Sequence, residues 1–180
     1  MATKENQLTL AGLLGAIWGA GGLSIILLDA INRLSKIALQ AFDAGLSSLQ
    51  WGVLMVVIAL MAYAEGYRGF QKSFAPRSAA RIYYLYRNPE PLALLLAPLF
   101  CMGFFRATRG PLLFAWVGAF LIVLLIIALQ LSLQPWRGII DAGVVVGLSW
   151  GLASFLFELW RVFRTGVYPL SPEVPGTIVD

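Results

Sequence analysis

The sequence predicts an all-α fold, an integral membrane helical bundle with four full transmembrane spans and one short apolar segment. Of the 180 residues, 59% are hydrophobic and 12% are charged, and the mean hydropathy is +0.81. These values lie outside the usual range of soluble globular domains. The third observation is the length of the apolar runs, because a bilayer core of about 30 Å takes about 20 helical residues.

The first predicted span covers residues 8–28, an apolar run without a small-residue cleavage site. We therefore expect a retained signal-anchor helix rather than a cleaved signal peptide. Residues 29–45 keep a helical period, with Asp29, Arg33 and Lys36 on the polar face. This pattern predicts a surface helix, or one that extends the first span out of the membrane.

The second predicted span covers residues 46–64, with Trp51 and Tyr63 near its ends, where aromatic rings prefer to lie. A basic loop, 65–90, follows. Within it, Pro76 suits a first helical turn, and residues 77–88 predict a second surface helix at headgroup level.

The third and fourth spans are predicted at 111–133 and 138–159. Together, residues 1–164 are expected to form a single membrane domain. The remaining residues, 165–180, contain three prolines and are expected to be a disordered or extended tail.

The short apolar segment, 91–105, leaves the number of spans open. Its 15 residues make only about 22 Å of helix, and it contains Pro98. If it crosses, there are five spans, and the basic residues divide seven against six between the two sides. If it enters and leaves on one side, ten lie on one side and three on the other. The positive-inside rule favours the second arrangement, with the loop 65–90 cytoplasmic in a bacterial inner (plasma) membrane.

Residue types absent from the chain exclude several kinds of chemistry. There is no histidine, and Cys101 is the single cysteine. Disulfide frameworks, Cys/His zinc sites, histidine-ligated haem and Ser-His-Asp systems each lose an obligatory residue. We therefore predict no enzyme activity, no metal and no cofactor. No basic face is large enough for a nucleic-acid duplex.

Small residues at helical spacing mark two faces on which helices can pack closely. The last span carries overlapping G-x-x-x-G units, and the first span carries a similar line. We expect these two faces to meet, or one of them to form a homodimer contact, and a ligand groove or pore lining is the alternative. The predicted packing residues are Gly143, Gly147, Gly151, Ser154, Gly15, Gly19 and Gly22.

Two polar features are further candidates. Asp141 lies about one turn inside the last span, and Arg137 precedes it by four residues on the same face. The pair is either an ion pair at the interface or a functional ion or proton site. The loop arginines and lysine are expected to contact anionic lipid headgroups, with a substrate phosphate site as the alternative. These residues are Arg68, Lys72, Arg77, Arg81 and Arg87.

The composition and these patterns favour a non-catalytic membrane protein that works in packing or assembly, as a homo-oligomer or as a small subunit of a larger membrane complex. Its expected partners are the lipid bilayer, anionic headgroups and other membrane subunits. The alternative is a small transporter or channel for a neutral or amphiphilic solute. A third reading is a lipid-modifying enzyme that holds phosphate with the basic loop.

Overall fold

The computed structural model describes residues 10–175, and every regular element in that part of the chain is a helix. The all-α prediction is thereby confirmed. Four helical stretches are long and apolar enough to cross a membrane, namely Leu10–Asp43, Ser48–Arg87, Arg109–Gln130 and Trp136–Thr165. The elements in order are α1 (Leu10–Asp43), α2 (Ser48–Met61), a π-helix (Ala62–Phe74), α3 (Ala75–Arg87), α4 (Pro91–Leu95), α5 (Ala97–Cys101), α6 (Arg109–Gln130) and α7 (Trp136–Thr165).

Helix α1 joins the predicted span 8–28 and the predicted amphipathic helix 29–45 into one helix of 34 residues. Of the two expectations for 29–45, the structure shows an extension of the first helix. The helix stops before Gly45, whose φ of +77° is a left-handed conformation that glycine adopts without strain.

The three elements from Ser48 to Arg87 form one unbroken helix, which we call the second long helix. It begins with a capping box, in which the Ser47 hydroxyl accepts from the Gln50 backbone and the Gln50 side chain accepts from the Ser47 backbone. The helix widens into π geometry at Ala62–Phe74. Pro76, expected to begin a separate helix, lies just after the change back to α geometry.

Helix α1, the second long helix and α7 pack together, and we call this part of the structure the body. Both of the other helices pack on α7. Helix α1 is antiparallel to it, since Gly138 lies beside Ala41 while Ala20 and Leu159 line one groove near the other end. The second long helix is parallel to α7, since Val57 lies against Gly143 and residues further along it lie against later residues of α7. We call the end at Gly138 the lower end and the end of α7 at Thr165 the upper end.

The short apolar segment 91–105 does not run from one end to the other. It forms α4 and α5 with a break at Leu96, just before Pro98, and it packs on the upper half of α1. Glu90 and Arg106, which flank it, form an ion pair. The segment therefore returns to the place where it began.

Helix α6 extends from the upper end towards the lower end with little contact to the body. The backbone N–H of Thr108, just before it, donates to the Glu173 carbonyl at 2.9 Å, and α6 then leads to the start of α7. Its 22 residues make about 33 Å of helix. Within the described residues 10–175, no residue of α6 is buried. Its attachment is near its start, where Trp116 donates to the Phe104 carbonyl at 3.2 Å.

Candidate functional site

The glycine line of α7 lies against the second long helix. A methyl carbon placed on Gly143 would lie 2.7 Å from Cγ1 of Val57, and one on Gly147 would lie 3.0 Å from Cβ of Glu65. At Gly151 the same position is occupied by the ring of Phe70. Each glycine therefore makes room for a side chain of the neighbouring helix. Ser154, on the same side, is half-buried.

The glycines of α1 have a different neighbour, the short segment 91–105. A methyl carbon on Gly19 would lie 2.9 Å from the Cys101 sulfur, and one on Gly22 would lie 2.5 Å from Cγ of Pro98. Gly15 lies against Leu94 in the same way. The hypothesis that the glycine faces of α1 and α7 meet each other is corrected by these contacts. The two helices do pack, but each glycine face holds another element, because the short segment and the second long helix supply the side chains that fill them.

Asp141 and Arg137 form an ion pair at the lower end, with 3.7 Å between Oδ2 and Nε. Asp141 is only 2% exposed. Among the described residues, neither of these two atoms has a hydrogen-bond partner. The pair thus joins a buried carboxylate about one turn inside α7 to a partly exposed arginine at the start of the helix.

Glu65 has a position that the sequence did not predict. The sequence placed it at the start of the basic loop 65–90, just after the predicted second span. Instead its carboxylate lies against Gly147, the twelfth of the 30 residues of α7. The reason is that the helix does not end near residue 64. The sequence does contain a signal for this continuation, because apolar and polar residues keep a helical spacing across residues 62–75.

Arg68 and Lys72 also lie beside the middle of α7. Both are exposed, and they flank Phe70, whose ring lies on Gly151, the sixteenth of its 30 residues. The Lys72 ammonium lies 5.4 Å from the centre of the Tyr67 ring. These two cations therefore lie far from either end of α7. From the sequence, both are expected to contact lipid headgroups.

Arg81, also expected to contact headgroups, is enclosed by protein and is 3% exposed. Its Nε donates to the Phe100 carbonyl at 2.6 Å, and its guanidinium lies 4.2 Å from the centre of the Phe100 ring. The other two nitrogens donate to the carbonyls of Phe105, Arg106 and Pro172 at 2.9 to 3.1 Å. Arg81 therefore ties the loop after α5 and the C-terminal tail to α3, since four of its five N–H groups donate to backbone carbonyls there.

The described part of the tail, residues 166–175, has no helix but is packed on the upper end. The Tyr168 ring meets the Tyr83 ring edge-on at 5.2 Å. Burial raises the pKa of the Tyr168 hydroxyl. Residues 166–175 are held on the upper end by Arg81 and Tyr83, which the sequence did not connect to the tail.

A cleft of about 190 Å³ separates α6 from the second long helix near the upper end. One wall carries the charged and polar residues Arg77, Ser78 and Glu173 beside apolar ones such as Phe74 and Met102, and the other is the face of α6 that carries Ala115 and Gly118. The Nε of Arg77 lies 3.8 Å from the Glu173 carboxylate. That Nε is buried and has no hydrogen-bond partner within the described chain.

Comparison with known proteins adds no family to this description, since no family model, curated protein or solved structure matches the chain. Across residues 10–175, no group of three or more Cys, Asp or Glu side chains is arranged to hold a metal ion.

Proposed function

We propose that this chain is a membrane assembly protein that self-associates through charged side chains at the middle of its spans. Its four long helices cross the bilayer, and segment 91–105 enters and returns on the upper side. Support for this topology comes from the Glu90–Arg106 ion pair, which joins the two ends of the segment. Most of the basic residues gather at the upper end, which the positive-inside rule makes cytoplasmic in a plasma membrane.

The observation that carries the assembly proposal is the depth of Arg68 and Lys72. Helix α7 is about 45 Å long, so a hydrocarbon layer of about 30 Å includes its middle. Exposed cations at that depth face lipid in a lone copy, which costs several kcal/mol per charge. A neighbouring protein that offers acidic groups at the same depth removes this cost.

A second copy of the chain offers such a group. Asp29 lies about halfway along α1 between its contacts with the two ends of α7, and so it is level with the middle of α7. Its side chain is 61% exposed and holds Arg33 only loosely, at 3.7 Å. We therefore pair Asp29 of one copy with Arg68 and Lys72 of the next.

Charge reversal tests this pairing in lipid nanodiscs, with native mass spectrometry as the readout. The wild type is expected to contain two or more copies. Asp29→Lys alone and Arg68→Asp with Lys72→Asp alone are each expected to give mostly single copies, because like charges then meet. Mixing the two variants should restore the assembly.

The matched control is Asp43→Lys, which reverses an exposed acid at the lower end of α1 and should leave the assembly unchanged. A wild type that is a single copy in nanodiscs would overturn the proposal. So would failure of the mixed variants to associate while each of them remains folded.

A second candidate function, solute transport, is favoured by the Glu65 carboxylate beside Gly147. A carboxylate at mid-membrane depth can bind a cation or a proton as part of a transport path. Flux of a neutral solute into proteoliposomes should then depend on pH in the wild type and lose that dependence in Glu65→Gln. Glu158→Gln, at a carboxylate already paired with Arg161, is the control. Equal flux with protein-free liposomes would exclude transport of that solute.

A further inference from the structure

The cleft between α6 and the second long helix has the form of a site for an amphiphile. The wall formed by α6 is apolar, with Phe114 and Ile122 at different depths along the helix. The opposite wall carries Ser73, Arg77 and Ser78. A bilayer offers one kind of molecule with both properties, since a phospholipid combines acyl chains with a charged phosphate.

The polar wall lies at the depth where a phosphate is found. Ala75 belongs to the same core cluster as Phe155, and Ala79 packs with Val162 of α7. Arg77 lies between these two contacts, and so it is level with Glu158 and Arg161 near the upper end of α7. Chains of a lipid bound there would run down α6, from Pro111 towards Ile122.

The charge on this wall favours an anionic headgroup. Arg81 also lines the cleft, but four of its five N–H groups donate to backbone carbonyls. Arg77 holds Glu173 at 3.8 Å, which is longer than a hydrogen bond, and its buried Nε lacks a hydrogen-bond partner in the described chain. Two arginines against one glutamate leave a net positive wall, and a phosphate oxygen is the acceptor that suits a guanidinium best.

The size of the cleft limits what it can hold. About 190 Å³ is less than the roughly 300 Å³ at the lower limit of pockets that enclose a whole small ligand. The cleft can therefore take the phosphate and the first part of one acyl chain, while the rest of the lipid remains in the bilayer. We propose that this cleft holds one anionic phospholipid per chain, with its phosphate on Arg77 and an acyl chain against α6.

Native mass spectrometry of the full chain tests the proposal with phosphatidylglycerol and phosphatidylcholine supplied in equal amounts. One phosphatidylglycerol per chain is expected to remain bound, with a preference of about tenfold, because both lipids carry a phosphate but only phosphatidylcholine brings a choline cation to the net positive wall. Arg77→Gln should lose the preference. Arg109→Gln, at an exposed arginine outside the residues that line the cleft, should keep it.

A second pair of variants tests the apolar wall. Ala119→Trp places an indole in the cleft and is expected to reduce bound phosphatidylglycerol about tenfold. Val117→Trp adds the same side chain on α6 outside the residues that line the cleft, and it should have no such effect. Equal retention of the two lipids by the wild type, or full retention by Ala119→Trp, overturns the proposal. If a variant fails to fold, equal retention of the two lipids by the wild type is sufficient to overturn the proposal.

Discussion

Helix α6 and the second long helix both expose long surfaces, but the exposed groups differ. Between Gly110 and Gln130, α6 has no charged residue, and an 18-residue stretch within it has a mean hydropathy of 3.0. The second long helix exposes Arg68 and Lys72 beside the middle of α7. If both helices cross the bilayer as we propose, lipid alone can surround α6, whereas the charged middle of the other helix needs a polar partner. Exposure by itself thus does not mark an interface in a membrane protein, but polarity at depth does.

The largest loss of stability is expected from substitution of Arg81, the arginine of the second long helix that faces the protein interior. Arg81→Met leaves four carbonyls without their donor, and it should reduce stability by about 3 kcal/mol and the melting temperature by about 10 °C. Arg68→Met should leave the melting temperature of a single copy unchanged and alter only the assembly. Equal shifts for the two variants in detergent, followed by tryptophan fluorescence, would contradict the structural role of Arg81.

A smaller effect is expected from filling a glycine position in the body. Gly147→Leu must displace Glu65, and overpacking of this kind should cost about 2 kcal/mol. Gly110→Leu makes the same substitution on α6, outside the cleft, where an added methyl carbon has no neighbour within 4 Å. It should leave the melting temperature unchanged. A destabilised Gly110→Leu, or a tolerant Gly147→Leu, would remove the difference between the packed and the free helix.

The smallest effect is expected on the outward side of α6. Phe120→Ala and Leu121→Ala remove large side chains that are 64% and 57% exposed. Because these side chains lie on the exposed surface of α6, their loss should change neither the melting temperature nor the copy number measured in nanodiscs. A drop in copy number with these variants would show that α6 takes part in the assembly.

The sequence predicted the elements better than their connections. Hydropathy and length located all four candidate membrane helices, because both are properties of a continuous stretch of chain. They could not show that Asp29 to Asp43 continues α1, or that residues 62–75 join two helices through π geometry. These outcomes depend on packing against α7, which no local pattern records.

The candidate site shows the same limit more strongly. The G-x-x-x-G spacing indicated that Gly143, Gly147 and Gly151 face another helix, but a small-residue face does not specify which helix fills it. The five basic residues of the loop looked alike in sequence. The fold gives them different surroundings. Arg81 faces inward to backbone carbonyls, Arg77 lines the cleft, and Arg68 and Lys72 are exposed beside the middle of α7.

The central claim, that the charged middle of the second long helix is covered by another copy, is tested most directly by crosslinking between copies in native membranes. Asn32→Cys and Ala64→Cys, at exposed positions one turn below Asp29 and Arg68, would be introduced in separately tagged chains so that the proposed charge pair stays intact. Cys101, which is 1% exposed, is expected to remain unreactive. With a short bismaleimide, the account predicts a mixed product that carries both tags, and no mixed product when Phe120→Cys on α6 replaces Ala64→Cys. Absence of the Asn32–Ala64 product while the Phe120 pair reacts would contradict it.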